Sequence, residues 1–210
     1  GRAASGGEDP GVSILIDADT TFIVQGITGR EAVNLTRECL DYGAGAKVVG
    51  GVTPGRKGRE VHGVPVFDTV AQAVEHHGGP ITGSVVTVPP AFTKDAVLEA
   101  VENGIELVVI VTERIPRRDV AEMVELASLR GARIIGPNCL GIIVPDVIKM
   151  GGIGGPAKDA AKAYTPGPVG VISRSGGMTT EMSSTLTAAG LGQSTAVSIG
   201  GDAIIGSTYA

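Results

Sequence analysis

The stretch Thr21-Phe-Ile-Val-Gln-Gly-Ile-Thr-Gly-Arg30 decides the fold. A short apolar run ends at Gly26, and a glycine turn leads straight into Arg30–Leu40. That segment has Val33, Thr36 and Leu40 on one stripe, with Leu35 and Cys39 beside it, which is helical spacing. A strand that turns through glycine into a helix opens a βαβ unit. The rhythm recurs downstream. Residues 46–50, 64–67, 84–88, 105–111 and 132–135 read as strands, and 69–77, 94–102 and 117–129 as helices. Thr93 is the expected N-cap of the helix at 94–102. The run Ile105–Val111 is nearly all apolar, as in a central parallel strand buried on both faces.

Residues 1–11 read as a polar leader, and 12–145 as the first unit, a parallel sheet with helices on both sides. A Gly/Pro-rich connection is expected over 146–168. The rhythm then restarts at 169–210, with strands at 169–173 and 194–199 around a helix at 179–189. A βαβ piece of this size cannot bury a core alone, so the second unit is expected to be partial.

The chain has 210 residues, with 33 glycines, 12 prolines, three Phe, three Tyr and no Trp. Apolar residues make up 42%, enough for a core, and no apolar run is long enough to span a membrane. A net charge of −5 disfavours broad nucleic-acid binding, which needs a basic face. Two distant cysteines, Cys39 and Cys139, give no zinc spacing and read as reduced, buried thiols of a cytoplasmic protein. Many glycines fall at strand ends: Gly26, Gly29, Gly50, Gly51, Gly55, Gly136, Gly141, Gly176, Gly177, Gly200 and Gly201. They are expected to make room for phosphates.

Ligands of open α/β sheets bind beyond the carboxyl ends of the strands. The turn Gln25–Glu31 opens a helix N-terminus, a site suited to phosphate, though alone it is equally a tight turn. The loop Gly50–Arg59 holds Arg56, Lys57 and Arg59. This charge suits an additional phosphate, as on NADP or coenzyme A, rather than the ribose hydroxyls of NAD. Val88-Pro-Pro90 offers a rigid apolar wall, and Val111, Thr112 and Glu113 follow another strand. Gly136-Pro-Asn-Cys139 is a further turn, and Ser173-Arg-Ser-Gly-Gly-Met178 a second candidate anion turn. None of His62, His76 and His77 lies in such a loop.

Taken in order, these loops resemble the α subunit of succinyl-CoA synthetase (succinate–CoA ligase). The matching stretches are Ser13–Asp17, Gln25–Gly29, Val49–Gly55, Val64–Phe67, Thr112-Glu113 with Ile115-Pro116, Gly136–Cys139, Ser173–Gly176 and Ile199–Asp202 with Gly206-Ser207. The resemblance implies a Rossmann-like domain that binds coenzyme A, then the first part of a flavodoxin-like ligase domain. It implies coenzyme contacts at Thr28, Gly29, Arg30, Glu31, Arg56, Lys57, Val88, Pro89, Val111, Thr112, Glu113 and Asn138. It places a phosphoryl-stabilising helix start at Ser175, Gly176 and Gly177, and a substrate contact at Thr180. The implied reaction joins a short carboxylate to coenzyme A through an acyl phosphate. An ATP-grasp β subunit would hold ATP or GTP with magnesium, and no metal or nucleic acid would bind this chain.

The family's phosphohistidine has no match here, so the resemblance implies no catalytic residue within these 210 positions. Ala32, Asn34 and Leu35 stand where the family has glycine and a Phe-His pair. Arg114 replaces a usual glycine, and Thr180 a tyrosine. Ser173–Met178 instead resembles the corresponding segment of ATP-citrate lyase and citryl-CoA synthetase, which leaves the acid open. Two other readings stay open: a non-catalytic coenzyme-A-binding module and an NADP-linked oxidoreductase.

Overall fold

The structure is a computed structural model that describes residues 13–44 and 47–210. The leader at 1–11 lies outside the described residues.

The opening stretch forms β1 (Phe22–Gln25) and α1 (Arg30–Leu40). Next come β2 (Val48–Val52), the short pair β3 (Glu60–Val61) and β4 (Val64–Phe67), and α2 (Val70–His77). Thr69 caps α2, its hydroxyl accepting from the Gln72 N–H at 3.2 Å. β5 (Gly83–Val86), α3 (Pro90–Glu102), β6 (Leu107–Ile110), α4 (Arg117–Leu129) and β7 (Arg133–Ile135) complete a seven-stranded sheet. Its order is β3-β4-β2-β1-β5-β6-β7, parallel except where β3 meets β4. All four residues of β6 are buried, as its apolar run predicts.

Thr93 does not cap α3. The helix begins a turn earlier, with Pro90 in its first turn, where the missing N–H costs nothing. Thr93 is buried, and its hydroxyl donates to the carbonyls of Val88 at 3.3 Å and Pro89 at 3.1 Å.

The second sheet is where the sequence boundaries move. It runs β10-β11-β8-β9. β8 (Gly141–Val144) and β9 (Ile148–Met150) form a hairpin, and β8 pairs antiparallel with β11 (Gln193–Ser198). The hairpin therefore leaves the first unit, which was expected to run to 145. The expected connection at 146–168 is ordered: it contains β9, α5 (Ala157–Ala163) and the first residues of β10 (Pro166–Ser173). α6 (Gly176–Ala188) starts three residues before its expected position, capped by the Ser175 hydroxyl, which accepts from the Met178 N–H at 3.3 Å.

This pairing answers the shortage of core. Ile142, Val144, Ile148 and Met150 of the hairpin and Val197 of β11 share one cluster with Phe22, Val24, Leu35 and Cys39 of the first sheet and α1. Gly83 fits this seam, since a Cβ there would lie 2.6 Å from the Met150 methyl. A separate cluster fills the space between the first sheet and α2, α3 and α4. Tyr164, Ile143, Val171 and Ala196 pack under α5 and α6. No helix among the described residues is long and apolar enough to cross a membrane.

Candidate functional site

β1 lies between β2 and β5, so the strand order reverses beside it. The crevice beyond the carboxyl ends of β1 and β5 is the topological switch point, where open α/β sheets take ligands. A cavity of about 920 Å³ opens there, within the range of small-molecule and cofactor sites.

One wall is α1. Gly29 is its N-cap, and no side chain caps the helix. The first backbone N–H groups of an uncapped helix have no intrahelical acceptor and carry the positive end of its dipole. Gly29, Arg30 and Glu31 line the cavity at this end, and Ala32, Asn34, Leu35 and Glu38 continue the wall. Thr87, Val88, Pro89 and Pro90 form the side beyond β5, and Val111, Thr112, Glu113 and Arg114 the side beyond β6. The Thr112 hydroxyl donates to the Val88 carbonyl at 2.7 Å, joining these two sides. Arg114 has φ 61°, left-handed backbone that glycine adopts without a Cβ penalty. Asn138 completes the rim; its backbone N–H donates to the Thr112 carbonyl at 3.0 Å.

The second sheet closes the inner end with Leu140, Gly152, Gly176 and Gly177. A Cβ on Gly176 would lie 2.5 Å from Leu140 Cγ, so the first turn of α6 comes directly onto this floor. Two helix N-termini thus open toward one cavity from different sheets.

Some expected residues lie outside the lining. Thr28 sits behind the α1 turn, its hydroxyl 3.1 Å from the Thr53 hydroxyl. That bond ties the turn to the loop bearing Arg56 and Lys57. The loop is held by Asp68, whose carboxylate accepts from both backbone N–H groups at 3.1 Å, while the two cationic side chains are exposed. Ser175 acts as the α6 cap rather than as a wall. Thr180 turns away from the cavity: its hydroxyl is 2.9 Å from the Tyr164 hydroxyl, under α5.

Cys139 lines the cavity but is buried, and desolvation pushes its thiol up from 9.0 to about 12. Burial likewise raises Cys39 to about 11. Neither is a thiolate nucleophile at neutral pH. No histidine lines the cavity. His62 faces Val33 O and the Arg37 guanidinium, each at 3.0 Å, and His76 lies against the Phe67 ring. Among the described residues no cluster of His, Cys, Asp and Glu could hold a metal.

The glycines divide in two. Gly29, Gly176 and Gly177 line the cavity. Others serve internal packing rather than phosphate: a Cβ on Gly51 would strike Ile27, on Gly141 the Met150 carbonyl, and on Gly200 the Pro137 carbonyl.

Asn34, Leu35, Glu38, Thr87, Leu140 and Gly152 were missed by the reading of the sequence. Glu31, Leu35 and Glu38 share one helical face, which was the available signal for Glu38. Leu140 and Gly152 reach the site only through the pairing of the second sheet, and nothing local marks them.

Residues 17–114 match the family described as CoA binding domain. The chain is 44% identical over 200 residues to the succinate–CoA ligase [ADP-forming] subunit alpha of Aquifex aeolicus, covering 94% of this chain and 62% of that protein. It is 46% identical over 200 residues to subunit alpha 1 of the same enzyme from Archaeoglobus fulgidus, covering 94% and 65%. The chain therefore spans just under two thirds of these relatives. Among solved structures it resembles ATP citrate lyase from Methanothrix soehngenii in complex with citrate and coenzyme A. That likeness has a TM-score of 0.81 at 23% identity, over 92% of this chain and 33% of the other, and it shows the fold.

Proposed function

We propose that the cavity holds coenzyme A and serves an acid–CoA ligase, because residues 17–114 match the family described as CoA binding domain and the chain is 44–46% identical to the succinate–CoA ligase α subunits above. The observation that carries this reading is the uncapped N-terminus of α1, opening at the switch point into a cavity large enough for a cofactor. The free N–H groups following Gly29, with Arg30, would take the coenzyme's phosphates. Arg56 and Lys57, tethered through Thr53 to Thr28, supply positive charge for a further phosphate. Val88, Pro89 and Val111 offer apolar surface, and Thr112, Glu113 and Asn138 polar contacts at the rim.

Coenzyme A supplies a thiol to such a reaction. This chain's own part is to bind it, and to present the N-terminus of α6 at the cavity's inner end. The dipole there favours a negatively charged group, which fits a phosphoryl group or carboxylate in transit. In the full reading the carboxylate is succinate or a related acid, activated as an acyl phosphate. An ATP-grasp β partner would hold ATP or GTP with magnesium. Thr180 faces Tyr164 and has no assigned role in substrate contact.

Isothermal titration of the chain with coenzyme A tests the reading. Saturable binding that weakens with added salt is the expected result. Absence of binding by a folded sample overturns it.

A further inference from the structure

The coenzyme site leaves one charged pair without a role. Lys149 on β9 is fully buried. Its ammonium donates to the Ile153 carbonyl at 3.1 Å and to the Gly155 carbonyl, closing the turn at 151–155. It faces the Glu38 carboxylate at 3.8 Å. A buried ammonium is stable only with such partners. The pair therefore fixes two things: the glycine turn that carries Gly152 onto the cavity wall, and the direction of the Glu38 side chain.

Glu38 is on that wall too, and its side chain is 23% exposed. It stands seven residues beyond Glu31, about 10 Å further along α1. Its end of the cavity is also the end of Leu140, Gly152 and Gly176, because Ile153 N–H donates to the Leu140 carbonyl at 2.9 Å and Gly176 packs on the Leu140 side chain. A carboxylate only accepts hydrogen bonds, and with Lys149 on one side its oxygens keep acceptor capacity toward the cavity.

We propose that Glu38, positioned by Lys149, accepts the S–H of the coenzyme's thiol and selects the free-thiol form. The inference rests on the coenzyme reading. With the phosphates at the start of α1, an arm laid along this wall of the cavity reaches Glu38. The group at the end of that arm is a thiol, a donor that meets an acceptor-only side chain. Glu38 is a specificity-determining residue, and Lys149 acts through it.

The test is titration with three ligands: coenzyme A, desulfo-coenzyme A, in which hydrogen replaces the thiol, and adenosine 3′,5′-bisphosphate, the head group alone. The wild-type chain is expected to prefer coenzyme A over the desulfo form by about fivefold or more. In Glu38→Gln the carboxamide turns its oxygen to Lys149 and its NH2 to the cavity, so an acceptor becomes a donor. The preference then falls toward parity while bisphosphate affinity stays unchanged. Lys149→Met narrows the preference by releasing Glu38, and its thermal melt reports whether it folds; Glu38→Gln keeps the test open if it does not. A preference that survives in Glu38→Gln overturns the proposal, as does an equal loss for both coenzyme forms, which would place Glu38 on an amide of the arm. If the wild-type chain binds none of the three ligands, the coenzyme reading fails and the proposal with it. If it binds coenzyme A and the bisphosphate without dependence on Glu38, only the proposal fails.

Discussion

The Asn138 side-chain amide donates to the Asp202 carboxylate at 3.0 Å. Asp202 is also tied to the start of α6, because the Arg174 guanidinium donates to the Asp202 and Gly200 carbonyls. The rim of the cavity on the first sheet and the turn that opens α6 in the second unit are thus joined through one short polar chain.

Asn138 holds φ 54°, left-handed backbone. Asn138→Ala is expected to lose about 1–2 kcal/mol from that conformation and the missing bond. Asn138→Gly, free of the Cβ penalty, loses less. Asp202→Ala removes only an exposed bond and costs under about 1 kcal/mol. Urea denaturation of the three variants orders them, and an Asn138→Gly variant less stable than Asn138→Ala refutes the backbone argument.

Arg56 and Lys57 are exposed on a loop held by Asp68 through backbone N–H groups alone. Charge reversal at both leaves stability within about 0.5 kcal/mol of the wild type, as for surface sites generally. Affinity for coenzyme A should fall more than affinity for its 3′-dephospho form, and the difference should shrink at high salt. Calorimetric titration at two ionic strengths measures both effects. Equal losses for the two ligands would remove the loop from recognition of that phosphate.

Gly176 leaves no room for a Cβ, which would lie 2.5 Å from Leu140 Cγ. Gly176→Ala should cost about 1–3 kcal/mol by overpacking. The double variant with Leu140→Ala removes the clash, so the two costs should not add. A thermodynamic cycle by chemical denaturation gives the coupling; strict additivity would show that the clash relaxes at no cost.

The Cys139 thiol is raised by burial from 9.0 to about 12. The folded state holds this proton more tightly than the unfolded chain. Stability from this group is complete below about pH 9 and is lost as pH rises toward the folded value. Melting temperatures of wild type and Cys139→Ala, followed from about pH 8 to about pH 11, should diverge, with the wild type falling more steeply. Lys149 is shifted down by burial and acts in the opposite sense, but it is present in both proteins and cancels in the comparison. Matching slopes would contradict the burial argument, and so would alkylation of Cys139 in the native protein near pH 8.

Local chemistry made the first sheet legible. β1 and β7 run directly into Gly26 and Gly136, and α1, α2 and α4 announce themselves by apolar spacing. Glycine turns at strand ends also marked where a phosphate could sit, and Gly29, Arg30 and Glu31 do line the cavity. The start of α3 was misread because Thr93 has an N-cap side chain, yet Pro90 can open a helix too, and the Thr93 hydroxyl turned inward.

Half of the second sheet is legible too, since β10, α6 and β11 fall on the rhythm that restarts at 169; β8 and β9 are not, for a physical reason. β8 and β9 are only four and three residues long. Their strand character comes from pairing with each other and from the pairing of β8 with β11, which lies far on in the chain. Nothing in the neighbouring sequence marks Lys149; only the turn at 151–155, folding its carbonyls around the ammonium, makes it a buried lysine. Sequence alone determined that strands alternate with helices, and that a helix N-terminus opens at Gly29, because spacing, caps and glycines are properties of neighbours in the chain. Tertiary structure alone decided that Glu38, Leu140 and Gly176 share one cavity end, because that depends on which distant strands find each other.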